Sequence, residues 1–99
     1  MTTIYHDIQA VATTTLITKG GNQGGSINKI TIANHDNTDH VIVKLYLYDG
    51  TNTFTIIKEK EIAVKTSLVL SDNISFDSNT FNLRITTSGT TPLITVIIK

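Results

Sequence analysis

The 99 residues are enough for one domain and too few for two ordinary ones, and the absence of cysteine rules out both a disulfide framework and a thiolate metal cluster. Eight basic residues balance eight acidic ones and lie scattered along the chain, so no electropositive stripe exists to hold a phosphate backbone, and nucleic acid is not an expected partner. Met1 to Tyr5 carry no basic segment followed by an apolar run, so neither a signal peptide nor a membrane span is expected, and the chain is expected to be made in a cytoplasm.

Six Val, 15 Ile and 18 Thr make β-branching the dominant feature, and branched side chains lose rotamer freedom in helices while packing well on a pleated surface. In chain order, Thr3 to Ile8 and Thr14 to Thr18 favour extended structure, and the first twelve residues form either an edge strand or an arm that docks on a neighbour; residues 13–99 form the domain body. The segment Gly20-Gly21-Asn22-Gln23-Gly24-Gly25 reads as a loop. A strand follows from Ile27 to Asn34. Alternation at Val41, Val43, Leu45 and Leu47, with Lys44, Tyr46 and Tyr48 on the other face, marks the clearest strand of the chain. Asp49-Gly50 supplies positive φ values for a tight turn, so the next strand, Phe54 to Glu61, is expected to pair antiparallel with it. Ser67 to Leu70, Thr80 to Thr87 and Leu93 to Ile98 complete the set, with Ser88-Gly89 turning into the last strand. Short strands between polar turns, with no helical period, predict an all-β fold: a single antiparallel β-sandwich of seven to eight strands, jelly-roll or immunoglobulin-like. The expected inward side chains are Ile30, Ile32, Val41, Val43, Leu45, Leu47, Leu68, Leu70, Phe81, Leu83, Ile85, Ile94, Val96 and Ile98.

Each group of chemistry-bearing residues has a structural explanation. His35 and His40 bracket a run with Asp36 and Asp39 that could offer imidazole and carboxylate to zinc or iron, but His, Asn and Asp all favour turns, and Asx side chains bond nearby amides. The glycine segment lacks the lysine and helix that a phosphate-binding loop needs. Asp72-Asn73 and Asp77-Ser78-Asn79 lack the glycine and terminal glutamate of an EF-hand. Glu59 and Glu61, two apart on one strand face with Lys58 and Lys60 opposite, could in principle serve as acid and base, but the alternation is better explained by a charged, solvated edge strand. Asn73-Ile74-Ser75 matches a glycosylation acceptor, which a cytoplasmic route leaves bare. No enzyme activity, cofactor or metal is expected.

From Ile30 to Ile98 the chain reads Ile-Thr-Ile-Ala-Asn, then Val-Ile-Val-Lys-Leu-Tyr-Leu-Tyr-Asp-Gly, Ser-Leu-Val-Leu, Phe-Asn-Leu-Arg-Ile-Thr-Thr and Leu-Ile-Thr-Val-Ile-Ile. Over these two thirds it resembles small virion structural proteins of tailed bacteriophages, while the part before Ile27 lacks the proline-bearing turn expected of that group. The resemblance implies a non-enzymatic decoration or cement protein on a capsid lattice, with the major capsid protein or other virion proteins as partners, in a virion assembled in the host cytoplasm. The alternatives are a neck or tail component, or a carbohydrate-binding sandwich of a receptor-recognising fibre. Low charge and apolar content favour a homo-oligomer, with a trimer expected because lattice-binding proteins often sit on threefold positions. Candidate interface residues are Ile4 and Tyr5 in the first strand and the shared-face pair Tyr46 and Tyr48, the latter also the candidate platform for a sugar.

Overall fold

A computed structural model describes residues 3–18, 25–36, 38–71, 74–76, 80–90 and 92–99. Its ten strands are β1 (Ile4–Ile8), β2 (Ala12–Ile17), β3 (Gly25–Ile27), β4 (Ile30–Asn34), β5 (Val41–Tyr48), β6 (Thr53–Ile62), β7 (Ser67–Leu70), β8 (Ile74–Phe76), β9 (Asn82–Ser88) and β10 (Ile94–Ile98). Two four-stranded sheets, ordered β1-β10-β4-β7 and β2-β9-β5-β6, are antiparallel throughout; β3 and β8 form a separate two-stranded ribbon.

A single plan generates this topology. Ile4 faces Ile98, Thr14 faces Ile85, Ser26 faces Ser75, Thr31 faces Val69 and Tyr48 faces Thr53. Paired residues therefore lie at nearly equal chain distances from the turn after Tyr48, as in one long antiparallel ribbon doubled at that turn. The ribbon then rolls up, and two further ladders, β10 on β4 and β5 on β9, close it into two sheets. This is the jelly-roll form of the sandwich.

The sheets bury their facing sides in one apolar cluster. Ile8, Ile30, Ile32, Ile94, Val96 and Ile98 come from the first sheet, and Leu16, Ile17, Val41, Val43, Leu45, Ile62, Leu83 and Ile85 from the second. Strict alternation accounts for most of them. Leu47, Leu68, Leu70 and Phe81, expected inside, pack on the margin of the cluster and stay partly exposed. Leu16 and Ile17 are consecutive yet both buried, because the register of β2 on β9 slips between Thr15 and Ile17. Such a bulge turns two neighbours to one face.

Several boundaries differ from the expectation; β2, for one, runs from Ala12 to Ile17 rather than from Thr14 to Thr18. The strand expected from Ile27 to Asn34 is interrupted at Asn28 and Lys29, whose amides turn to the carbonyl of Lys99. The turn after β5 is a four-residue loop, Asp49 to Asn52, in which Gly50 has a φ of 103° and Asp49 Oδ1 accepts the amides of Thr51 and Asn52. The Asx geometry of Asp49 replaces the second positive φ that a two-residue turn would need. Thr80 and Phe81 precede β9, which starts at Asn82.

Candidate functional site

The polar turn after β4 is organised by Asn34, whose side chain is almost wholly buried. Its Nδ2 lies 3.1, 3.0 and 3.3 Å from the carbonyl oxygens of Asp39, Ile62 and Ala63, and its Oδ1 accepts the Asp36 amide at 3.0 Å. Asp36, also buried, accepts the Thr38 amide, the Thr38 hydroxyl and the Asp39 amide on Oδ1. The carboxylate that sequence offered to a metal therefore faces the backbone donors of its own turn. His35 and His40 are exposed, and His35 Nε2 lies 3.6 Å from Asp7 Oδ1. Among the described residues no three His, Asp or Glu side chains gather closely enough to hold a metal ion.

Asn34 ties the end of β4 to the end of β6, so its loss strands buried carbonyls. Asn34→Ala is expected to cost about 2 kcal/mol, since unsatisfied buried groups cost roughly 1 to 3 kcal/mol each and the site relaxes partly. The nearly isosteric Asn34→Asp should act in the same direction, because a carboxylate cannot donate to carbonyls. Urea melts of both variants check this, and a midpoint unchanged from the parent would show that these bonds carry no stability.

The charged run Lys58 to Glu61 lies exposed on β6, an edge strand whose register on β5 slips twice. That is a guarded edge. Of the other candidates, Gly20 to Gly24, Asp72-Asn73 and Asp77-Ser78-Asn79 lie outside the described residues, as does Asn37; Gly25 opens β3.

The outer face of the β2-β9-β5-β6 sheet carries Tyr46 and Tyr48, one above the other as expected. Both rings are covered. The Lys44 ammonium sits 5.2 Å from the Tyr46 ring centre and the Arg84 guanidinium 4.5 Å from that of Tyr48. Tyr46 is only 9% exposed, and Arg84 Nε, also shielded from solvent, has no hydrogen-bond partner among the described residues. Tyr48 donates to the Gly50 carbonyl, fixing its ring. Neither Lys44 nor Arg84 forms an ion pair among the described residues. Thr13 and Thr86 share a hydroxyl bond beside them.

The outer face of the β1-β10-β4-β7 sheet is different in character. Cross-strand register places Tyr5, Ile97, Thr31 and Val69 in one row running from edge to edge. The next row is Asp7, Thr95, Ala33 and Ser67. Tyr5 is 69% exposed and Val69 46%, making them two of the four large apolar side chains that, among the described residues, stand furthest into solvent. Of the other two, Val11 sits in the β1–β2 connection and Phe54 packs edge-on against Phe81 at 5.7 Å. Ile4 points the opposite way from Tyr5 and packs on the core. His6, on the same inward side, is hydrogen-bonded to the Leu16 carbonyl at 2.9 Å and bridges the two sheets where both have an edge.

Sequence reasoning singled out Tyr5 but missed Ile97, Thr31 and Val69. Their outward orientation was legible from alternation, whereas their alignment depends on register between strands far apart in the chain. No cleft opens in the surface among the described residues. Comparison with protein-family models, with curated proteins and with solved structures returned no match.

Proposed function

We propose that this chain is a non-enzymatic structural protein of a bacteriophage virion, a decoration or cement protein that joins a capsid lattice. The observation that carries the reading is the outer face built around Tyr5, Ile97, Thr31 and Val69. It is a four-stranded surface with its charges confined to the ends along the strands, and with large apolar side chains at both ends of its central row. Such a surface gains free energy by being covered, and its flat shape suits another protein surface better than a small ligand. The jelly roll supports the virion setting by analogy, since capsid domains use it repeatedly. A neck or tail position is the alternative and would use the same face. The carbohydrate-binding reading has less support, because Lys44 and Arg84 cover the tyrosine rings on which a sugar would stack.

Co-sedimentation tests the proposal. Purified protein mixed with capsids of the phage that encodes it is expected to pellet in a fixed ratio to capsid subunits. Protein that stays in the supernatant with capsids but pellets with tails would move it to the alternative position. Failure to pellet with any virion part would end the virion reading.

A further inference from the structure

Beyond its central row, the face of the first sheet has polar ends of opposite sign. Asp7 stands in the row on one side, 57% exposed, with the Gln9 amide 3.1 Å from Oδ2 and the His35 Nε2 3.6 Å from Oδ1. On the other side the grid continues through Lys99 and Lys29, whose backbones exchange hydrogen bonds at 2.9 and 3.2 Å. Both lysines are exposed and neighbour the buried Ile98 and Ile30, so alternation turns them outward onto the same face as Ile97 and Thr31. The order along the strands is thus the lysine end, the apolar row, and the end holding Asp7 with His35.

We infer that this face pairs with the same face of a second copy of the chain, about a twofold axis that lies along the Tyr5–Val69 row and perpendicular to the strands. The inference rests on the reading of this surface as an association face and gives it a second copy as occupant in the free protein, a pairing that capsid binding through the same face would displace. Two sheets stacked face to face with their strands aligned are related by an axis along the strands or across them. An axis along the strands would lay Lys29 and Lys99 over the same lysines of the other copy, which repel. An axis across the strands lays the apolar row on itself and brings the lysine end of each copy to the Asp7 end of the other, twice. An isologous interface must be complementary to itself, and this face is so in only one of the two orientations.

Strand spacing of about 4.8 Å and rows two residues apart give a patch of roughly 400 Å² in outline. Counted on both copies that is about 800 Å², below the roughly 1,200 to 2,000 Å² of standard specific interfaces, so the dimer is weak and in equilibrium with monomer. Two copies joined in this way leave their Lys44–Arg84 faces pointing in opposite directions.

The chain has no cysteine, which makes single-cysteine variants a clean probe. On the axis, Thr31 and Ile97 each meet their own equivalents. Thr31→Cys and Ile97→Cys are therefore expected to give dimers linked by a short bismaleimide, which spans the roughly 10 Å between stacked sheets, while Thr86→Cys, on the outer face of the other sheet, does not. Sedimentation of the unmodified protein should show a monomer–dimer equilibrium, and Tyr5→Asp with Val69→Asp should weaken it by roughly 100-fold. These measurements use free protein, so they stand or fall separately from capsid binding. A monomer at all concentrations, a trimer, or crosslinking at Thr86→Cys equal to that at Thr31→Cys and Ile97→Cys overturns the inference.

Discussion

A chain lacking Met1 to Ala12 is expected to be unfolded. The deletion removes β1, which lines β10 through five consecutive register pairs from Ile4–Ile98 to Ile8–Ile94. It also withdraws Ile8, 5% exposed in the core, and Ile4, which packs on it. Burying an isoleucine contributes about 1.5 to 3 kcal/mol, and the whole stability of a small domain is about 5 to 15 kcal/mol. Two such side chains and a strand of ladder bonds therefore represent most of the margin. The His6 bond to the Leu16 carbonyl goes with them, as does the Ala12 end of β2, where the Thr87 hydroxyl donates to the Ala10 and Ala12 carbonyls. Circular dichroism and urea titration of the truncated chain decide the matter. A cooperative melt near that of the parent, together with loss of assembly, would instead identify the segment as an arm that docks on a neighbour.

Leu45→Ala and Leu83→Ala should each cost about 2 to 5 kcal/mol, the range for leucines whose removal leaves a cavity that neighbours cannot fill. Both side chains are fully buried. Leu45 lies between Ile85 of β9 and Ile57 of β6, and Leu83 between Ile17 of β2 and Leu47 of β5. Each is held on two sides by paired strands, which restrains collapse into the vacated space. Chemical denaturation at constant slope should show the midpoint falling in both. A shift below 0.5 kcal/mol, typical of surface positions, would put these residues outside the core.

Alternation made β5, β7 and β10 legible almost to the residue, because a strand with one face buried must repeat every second position. It failed where the backbone departs from that period. Leu16 and Ile17 share a face through a bulge, and Asn28 and Lys29 divide one apparent strand into two. The three-residue β8 carries too few positions to show any period. Asn34 looked like the polar end of a strand, and only the approach of β6 from 28 residues away reveals it as the hub of a junction. The same limit applies to the association face. Tyr5 is visibly apolar and extended, but its alignment with Val69 passes through Ile97 and Thr31 on strands separated widely in sequence.

The doubling of the chain about Asp49–Asn52 also bears on how the domain reaches its structure. The β5–β6 hairpin closes a loop of four residues, whereas pairing Ile4 with Ile98 first would enclose roughly ninety. Closure entropy grows by about 0.6 kcal/mol for each doubling, so the outermost pair is disfavoured as a starting point by roughly 3 kcal/mol. The low-entropy route zips outward from the hairpin, through β4 with β7, to the two chain ends. Along it the β10–β4 and β5–β9 ladders can form only once the ribbon has bent over, which gives a high contact order and puts folding in the millisecond-to-second range of all-β domains. Until that bend is complete, the isoleucine-rich inner sides of both half-formed sheets face solvent, so this interval is when the chain is most open to misassociation with other copies.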